Sequence, residues 1–165
     1  MLYAGFTEAL LALLAVLLVV AAVIDVRTFT ISNGLNATVA LLAPLYWWST
    51  GLTFWPDAAI QVAVAAAVFV ALAATFYMGM MGGGDVKLAA ALALWFSPIE
   101  TLKFLVVMSL AGGIVTLIVL LVHKKRANPP TVEGEKPARP EVPYGVAIAI
   151  GGLWILAQRF LNQFA

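Results

Sequence analysis

The chain alternates long apolar runs with short polar breaks, and the runs are long enough to be read as membrane spans. A spanning helix needs about 20 mostly apolar residues, with a range of roughly 17–25. Residues 5–24 meet that requirement, with Glu8 near the outer headgroups. A polar turn follows, from Asp25 and Arg27 through Ser32 and Asn33 to Gly34. The second run covers residues 35–48 and is short unless 33–51 is counted. Trp47, Trp48 and Trp55 cluster around the next connection, as interfacial aromatics do. Residues 58–78 form an alanine-rich third run, 88–96 a fourth closed by Ser97-Pro98, 101–122 a fifth and 144–160 a sixth. Residues 123–143 are polar and hold five of the eight prolines, which predicts a flexible, solvated loop with no means of building a core. The pattern predicts an all-α integral membrane protein, a bundle of six transmembrane helices whose short fourth span follows a glycine-rich loop.

Composition strengthens the membrane reading. Apolar residues make up 64% of the 165 and charged residues 10%, against roughly 45–50% and about 25% in ordinary soluble domains. A single domain covering 1–165 cannot hide that excess in a water-soluble core. The formal net charge of +1, without a basic stripe carrying interleaved aromatics, argues against nucleic acid as a partner. The absence of cysteine excludes disulfides, thiolate nucleophiles and cysteine-ligated zinc. His123 is the sole histidine and has no second ligand type near it in sequence, so no metal or cofactor is expected. The first basic residue is Arg27, after the first apolar run. No cleavage-site pattern follows that run, which therefore reads as a retained helix rather than a secretory signal.

The basic residues orient the bundle. Arg27, Lys87, Lys124, Lys125, Arg126, Lys136 and Arg139 fall in alternate breaks, on one side, whereas Lys103 and Arg159 fall on the other. Lys and Arg accumulate in cytoplasmic loops, so the N-terminus is expected outside and three loops inside the cytoplasm. Those three loops carry Asp25, Asp85 and Pro143-Tyr144-Gly145, which puts both carboxylates on one side.

The stretch Gly82-Gly83-Gly84-Asp85-Val86-Lys87 is the strongest interruption of the apolar pattern. An ionisable residue at the edge of a hydrophobic segment is costly and marks a functional site by default. Residues 85–96 reach only about 18 Å as helix, against a hydrocarbon core of about 30 Å. If Ser97-Pro98 marks the outer surface, Asp85 lies below the cytoplasmic surface. The glycines then line a water-accessible recess, where non-helical backbone is tolerated. Peptide hydrolysis by two carboxylates needs one group to take a proton from water and a neutral partner to serve the scissile carbonyl. A close pair divides those roles because both members cannot ionise. Asp25 and Asp85 are the candidate pair. Gly82 and Gly84 would let backbone turn and an extended substrate approach, and a helix starting near Asp85 would favour its anion. Lys87 either adds to that stabilisation or reaches the headgroups.

Three segments carry a family resemblance. Gly82-Gly83-Gly84-Asp85 fits a G-x-G-D pattern continued by Val86-Lys87-Leu88, as in type IV prepilin peptidases. Asp25-Val26-Arg27 followed by Ile31-Ser32-Asn33 resembles that family's first aspartate segment, with Ser32 where the family prefers proline. Pro143-Tyr144-Gly145-Val146-Ala147-Ile148-Ala149 resembles its last-helix segment. The resemblance implies an aspartyl endopeptidase of a bacterial or archaeal plasma membrane. Such an enzyme removes the short basic leader of prepilins or pseudopilins at the cytoplasmic face, beside the substrate's own hydrophobic helix. Asp25 and Asp85 match the catalytic aspartates, and Pro143, Tyr144 and Gly145 match a supporting segment. The size is similar to peptidases of tight-adherence pilus systems or archaeal preflagellin peptidases. The cysteine zinc site and N-terminal extension of the larger bacterial members are not present in this sequence, so methyltransferase activity is not expected.

Other readings compete at each position. Asp85 also suits a helix N-cap, and Asp25 could simply pair with Arg27. Gly112-Gly113 and Gly151-Gly152 read as close helix-packing points. Lys124-Lys125-Arg126 reads as an orientation marker meeting anionic lipid. Glu133, Glu135 and Glu141 read as a solvated linker face, and Tyr144 as an interfacial anchor. At the level of function, an ion-coupled transporter and a non-catalytic pilus scaffold stand beside the peptidase. Intramembrane proteases of the presenilin type share G-x-G-D but also need a P-A-L segment, which does not occur here. Oligomeric state is not legible.

Overall fold

The computed structural model describes residues 3–126 and 142–162, and among these every regular element is helical. Helix α1 covers Ala4–Thr28 and α2 covers Asn33–Thr50. A kinked turn at Phe54–Ala58, extended at Trp55 (φ −134°, ψ 127°), leads into α3 at Ala59–Tyr77. Helix α4 is Gly83–Ala93, α5 is Pro98–Arg126 and α6 is Tyr144–Asn162.

The boundaries follow from local chemistry, and several differ from those the hydropathy pattern predicts. Helix α1 does not stop at the end of its apolar run. It continues through Asp25 and Arg27, the latter a cation in the last turn where it suits the helix dipole, and ends at Phe29 in the left-handed conformation (φ 52°). Asp25 is therefore a helical residue rather than part of a turn. Ser32 caps α2 by accepting the Leu35 N–H at 3.3 Å. Helix α4 begins at Gly83, with Gly82 in extended conformation (φ −70°, ψ 145°) as its cap, so two of the three glycines are helical rather than loop. Helix α5 starts on a capping box. The Ser97 N–H donates to Glu100 Oε2 at 2.8 Å, the Glu100 N–H donates to Ser97 Oγ at 3.3 Å, and Pro98 takes the first helical position. Helix α5 also runs to Arg126, so the expected loop at 123–143 begins later than hydropathy suggests. Residues 127–141, with Glu133, Glu135, Glu141, Lys136 and Arg139, lie outside the described residues, as do the side chains of His123, Lys124, Lys125 and Arg126.

Contacts fix the directions of the helices. Thr7 Oγ1 donates to Ser49 Oγ at 3.0 Å, joining the start of α1 to the end of α2. Asn36 near the start of α2 reaches Gly84 at the start of α4, and Trp47 near the end of α2 reaches Leu94 past the end of α4. Gly145 at the start of α6 meets Asp25 at the end of α1, whereas Arg159 near the end of α6 meets Glu100 at the start of α5. Phe76, at the end of α3, lies against Gly83. Helices α1, α3 and α5 thus run toward one end of the bundle, and α2, α4 and α6 start from it.

Helix α4 is the most enclosed element. Val86, Leu88, Ala89, Leu92 and Ala93 are buried, and α2, α3 and α6 pack around it. The core continues through Leu14 and Leu18 of α1, Phe104 of α5, Ile148 and Ile155 of α6, and Trp95 and Phe96 beyond α4. A helix apolar on all sides is a buried helix, and α4 needs no length to meet lipid. Among the described residues four helices are long and apolar enough to cross a membrane: Ala4–Thr28, Phe54–Tyr77, Pro98–Val122 and Tyr144–Asn162. Six were expected. The two that fall short are α2, interrupted by Asn33, Asn36 and Thr38, and α4, whose eleven residues reach about 16 Å. The chain is a multi-pass membrane protein.

Candidate active site

Two carboxylates meet the same end of the bundle from different helices. Asp25 comes from the last turn of α1 and is 1% exposed, and Asp85 comes from the first turn of α4 and is 6% exposed. The charge on Asp25 acts on the Asp85 carboxyl. Neither pairs with a cation among the described residues, where the ion pair is Glu100 with Arg159.

Each carboxylate sits at the N-terminus of a helix. The Gly145 N–H in the first turn of α6 donates to Asp25 Oδ2 at 2.6 Å, and the Val146 N–H is turned toward the same group. At α4, the Gly82 N–H faces the Asp85 carboxyl. The first N–H groups of a helix have no partner within it, and with the helix dipole they make a binding place for an anion. Burial of the two acids is thus offset by backbone donors rather than by lysine or arginine. The offset is partial: Asp25 Oδ2 has its donor, whereas Asp85 Oδ1 is buried and has no hydrogen-bond partner.

Glycine is required where these groups crowd. A Cβ on Gly145 would lie 2.8 Å from the Asp25 carboxylate and displace it. A Cβ on Gly84 would lie 2.6 Å from the Ile31 carbonyl oxygen, so α4 and the turn before α2 approach as closely as backbone allows. Asn36 secures that approach by donating from Nδ2 to the Gly84 carbonyl at 3.0 Å.

The remaining expected site residues are placed differently. Lys87 lies about 200° around α4 from Asp85 and donates from Nζ to Asn33 Oδ1 at 2.8 Å, away from both carboxylates. Pro143 precedes α6 and is half-buried, and its carbonyl accepts the Val146 N–H at 3.3 Å. The Tyr144 ring rests against Gly112 of α5 and lines a cavity there. Gly151 and Gly152 are packing points, against Phe104 and Leu18, but a Cβ on Gly113 would meet nothing. Among the described residues no three His, Cys, Asp or Glu side chains gather as a metal site would need.

Sequence reasoning missed the second polar cluster of the bundle, at the opposite end. Arg159 donates to both carboxylate oxygens of Glu100 (2.7 and 2.6 Å), to the Tyr46 hydroxyl at 2.8 Å and to the Trp95 carbonyl at 2.9 Å. Its guanidinium also lies over the Tyr46 and Phe96 rings. Two signals were available: the Ser97-x-x-Glu100 capping box and an arginine inside an otherwise apolar run. Loop-charge counting treats Arg159 as an orientation marker, whereas it is a partly buried tie between α2, α5, α6 and the residues after α4.

No curated protein and no solved structure matches the chain. Residues 12–117, which include both Asp25 and Asp85, match the type IV leader peptidase family. With nearly two thirds of its length covered by that match, the chain belongs to the type IV leader peptidase family.

Proposed function

We propose that the protein is a membrane aspartyl endopeptidase that removes the basic leader of prepilin or pseudopilin substrates at the cytoplasmic membrane face. The observation that carries this reading is the pair of buried carboxylates, Asp25 and Asp85, at one end of the bundle, with no cation paired to either among the described residues and with the charge of one acting on the other. Such a pair is costly unless used. The asymmetry of its surroundings also suits the chemistry. Asp25 already accepts backbone donors, whereas Asp85 keeps Oδ1 free. A water between them would lose a proton to one carboxylate while the other serves the scissile carbonyl, and the dyad titrates as a unit. Gly82, Gly84 and Gly145 allow the close approaches this needs, Pro143 and Tyr144 set the start of α6, and Lys87 supports the turn before α2 through Asn33.

All six helices are proposed to cross the bilayer in this reading. Helix α2 returns from the Asp25 end to the level of Thr7, and α4 runs between the levels of Asn36 and Trp47. The apolar stretch of α5 continues about 15 Å beyond Gly112, which touches Tyr144, so neighbouring helix rises past the carboxylates and leaves them in a recess. With the basic breaks on that side, the recess faces the cytoplasm of a bacterium or archaeon and the N-terminus lies outside.

Leader cleavage in reconstituted membranes tests the proposal. The purified chain and its Asp25→Asn and Asp85→Asn variants would receive a panel of prepilins and pseudopilins with basic leaders. A mass shift with the unaltered chain, lost in both folded variants, is the expected result. Cleavage that survives either substitution would exclude the dyad.

A further inference from the structure

Asn36 of α2 is 5% exposed, yet only one end of its amide is used. Nδ2 donates to the Gly84 carbonyl at 3.0 Å, whereas Oδ1 is buried and has no hydrogen-bond partner. Helix α4 does not need this bond to be satisfied, because the helical partner of the Gly84 carbonyl is the Leu88 N–H, four residues on. A leucine in place of Asn36 would leave no acceptor unmet, and an exchange that orphans no polar group is nearly neutral. Stability therefore does not account for the asparagine.

What the bond does is hold one peptide. The Gly84 carbonyl and the Asp85 nitrogen belong to the same rigid plane. Asn33, one turn earlier on α2, accepts from Lys87 Nζ at 2.8 Å, one turn later on α4. Two residues spaced three apart on α2 thus grip two residues spaced three apart on α4. A single grip fixes a point, whereas two fix the rotation of the turn about its axis. At about 100° per residue, Gly84 and Lys87 lie about 60° apart on the helix surface, and Asp85 lies about 130° from the middle of that gripped face. The hold on α4 and the carboxyl that it aims are on different sides of the helix. Consistent with this, Asn33, Asn36 and Lys87 line a groove of about 480 Å³ that neither carboxylate lines. Contact is also tight where the grip acts, since a Cβ on Gly84 would lie 2.6 Å from the Ile31 carbonyl oxygen.

We propose that Asn36 is a positioning residue. With the Asn33–Lys87 bond as a second point, it sets the rotation of the first turn of α4 and so the direction in which the Asp85 carboxyl is presented. This rests on the peptidase reading and adds to it the device that keeps the two acids in register.

Asn36→Leu and Asn36→His test the role in the reconstituted full chain. Leucine has no donor. Histidine carries Nδ1 the same number of bonds from the backbone as the asparagine Nδ2, and its ring has the groove to enter. In Asn36→Leu, kcat for leader cleavage should fall by roughly 10–100-fold with KM held within about twofold, as when a catalytic group is slightly misplaced. The melting temperature should be unchanged or higher. Asn36→His should recover part of kcat, and Lys87→Met, which removes the second point, should lower kcat by less than Asn36→Leu does. Unaltered kcat in folded Asn36→Leu, or equal loss in the leucine and histidine variants, would overturn the proposal. So would failure of Asn36→Leu to fold, because stability would then explain the asparagine. Failure of the unaltered chain to cleave any prepilin or pseudopilin would instead bring down the peptidase reading and the positioning role with it.

Discussion

The two ends of the bundle spend their few polar side chains in opposite ways. At the end where α5 starts, Glu100 and Arg159 neutralise each other, and Tyr46, Trp95 and Ser97 complete their hydrogen bonds. At the other end two acids of the same sign are buried and the charge of one acts on the other, the donors are backbone N–H groups, and Asp85 Oδ1 is left without a partner. Buried polar groups in folded proteins are almost always satisfied, and the exceptions need a reason. The Glu100–Arg159 end explains itself as a tie between helices. The Asp25–Asp85 end ties no helices together by an ion pair, and the proposed peptidase function would give it its reason.

That contrast can be broken from either side. The largest effect is expected at the acids: Asp85→Asn or Asp25→Asn should lower leader cleavage by about 10²–10⁴-fold, as loss of acid–base catalysis does. Thermal stability should be unchanged or higher, since repulsion between like charges is relieved; a simultaneous collapse in stability would show the acids to be structural. The clamp should behave in the reverse sense. Arg159→Met leaves the partly buried Glu100 without its partner and should cost about 1–3 kcal/mol in denaturant titrations in detergent. Glu100→Gln added to Arg159→Met should recover part of the loss, and cleavage per folded molecule should be retained in both.

Two smaller substitutions sharpen the comparison. Gly145→Ala places a Cβ 2.8 Å from the Asp25 carboxylate and should reduce kcat by roughly 10²-fold, the scale of a small misplacement of a catalytic group. Unaltered kcat in this variant would mean that the Gly145 N–H does not position Asp25. Trp47→Phe removes the hydrogen bond from Nε1 to the Leu94 carbonyl, 2.8 Å long, together with part of the ring packed against the core, near the clamped end. A stability loss of about 0.5–1.5 kcal/mol with unchanged cleavage is expected, and the same titrations read it.

Much of the site was legible because charge is scarce. In a chain with 10% charged residues, Asp25 and Asp85 stand out, and the positions of Arg27 and Lys87 assign them to one side before any coordinates are known. The glycines around Asp85 and the segment at Gly145 mark where backbone must come close. Arg159 was misread because a count of loop charges cannot see that Glu100 lies one helix away. Asn36 was passed over because a lone amide in an apolar run gives no hint of the carbonyl it meets on Gly84. Helix ends were shifted for a related reason: α1 runs on through Asp25 because polar residues continue a helix as readily as apolar ones when their side chains find donors.

The sequence by itself determined that this is an all-helical membrane chain and that Asp25 and Asp85 belong to the same end of it, since hydropathy and charge act locally and add along the chain. Only the tertiary structure decided that α4 can be short because its neighbours enclose it. It alone decided that α6 supplies the donor to Asp25 from 120 residues away, and that one glycine of a pair packs while the other faces a cavity. Those outcomes depend on which helices become neighbours, and that is set by packing among surfaces distant in the chain.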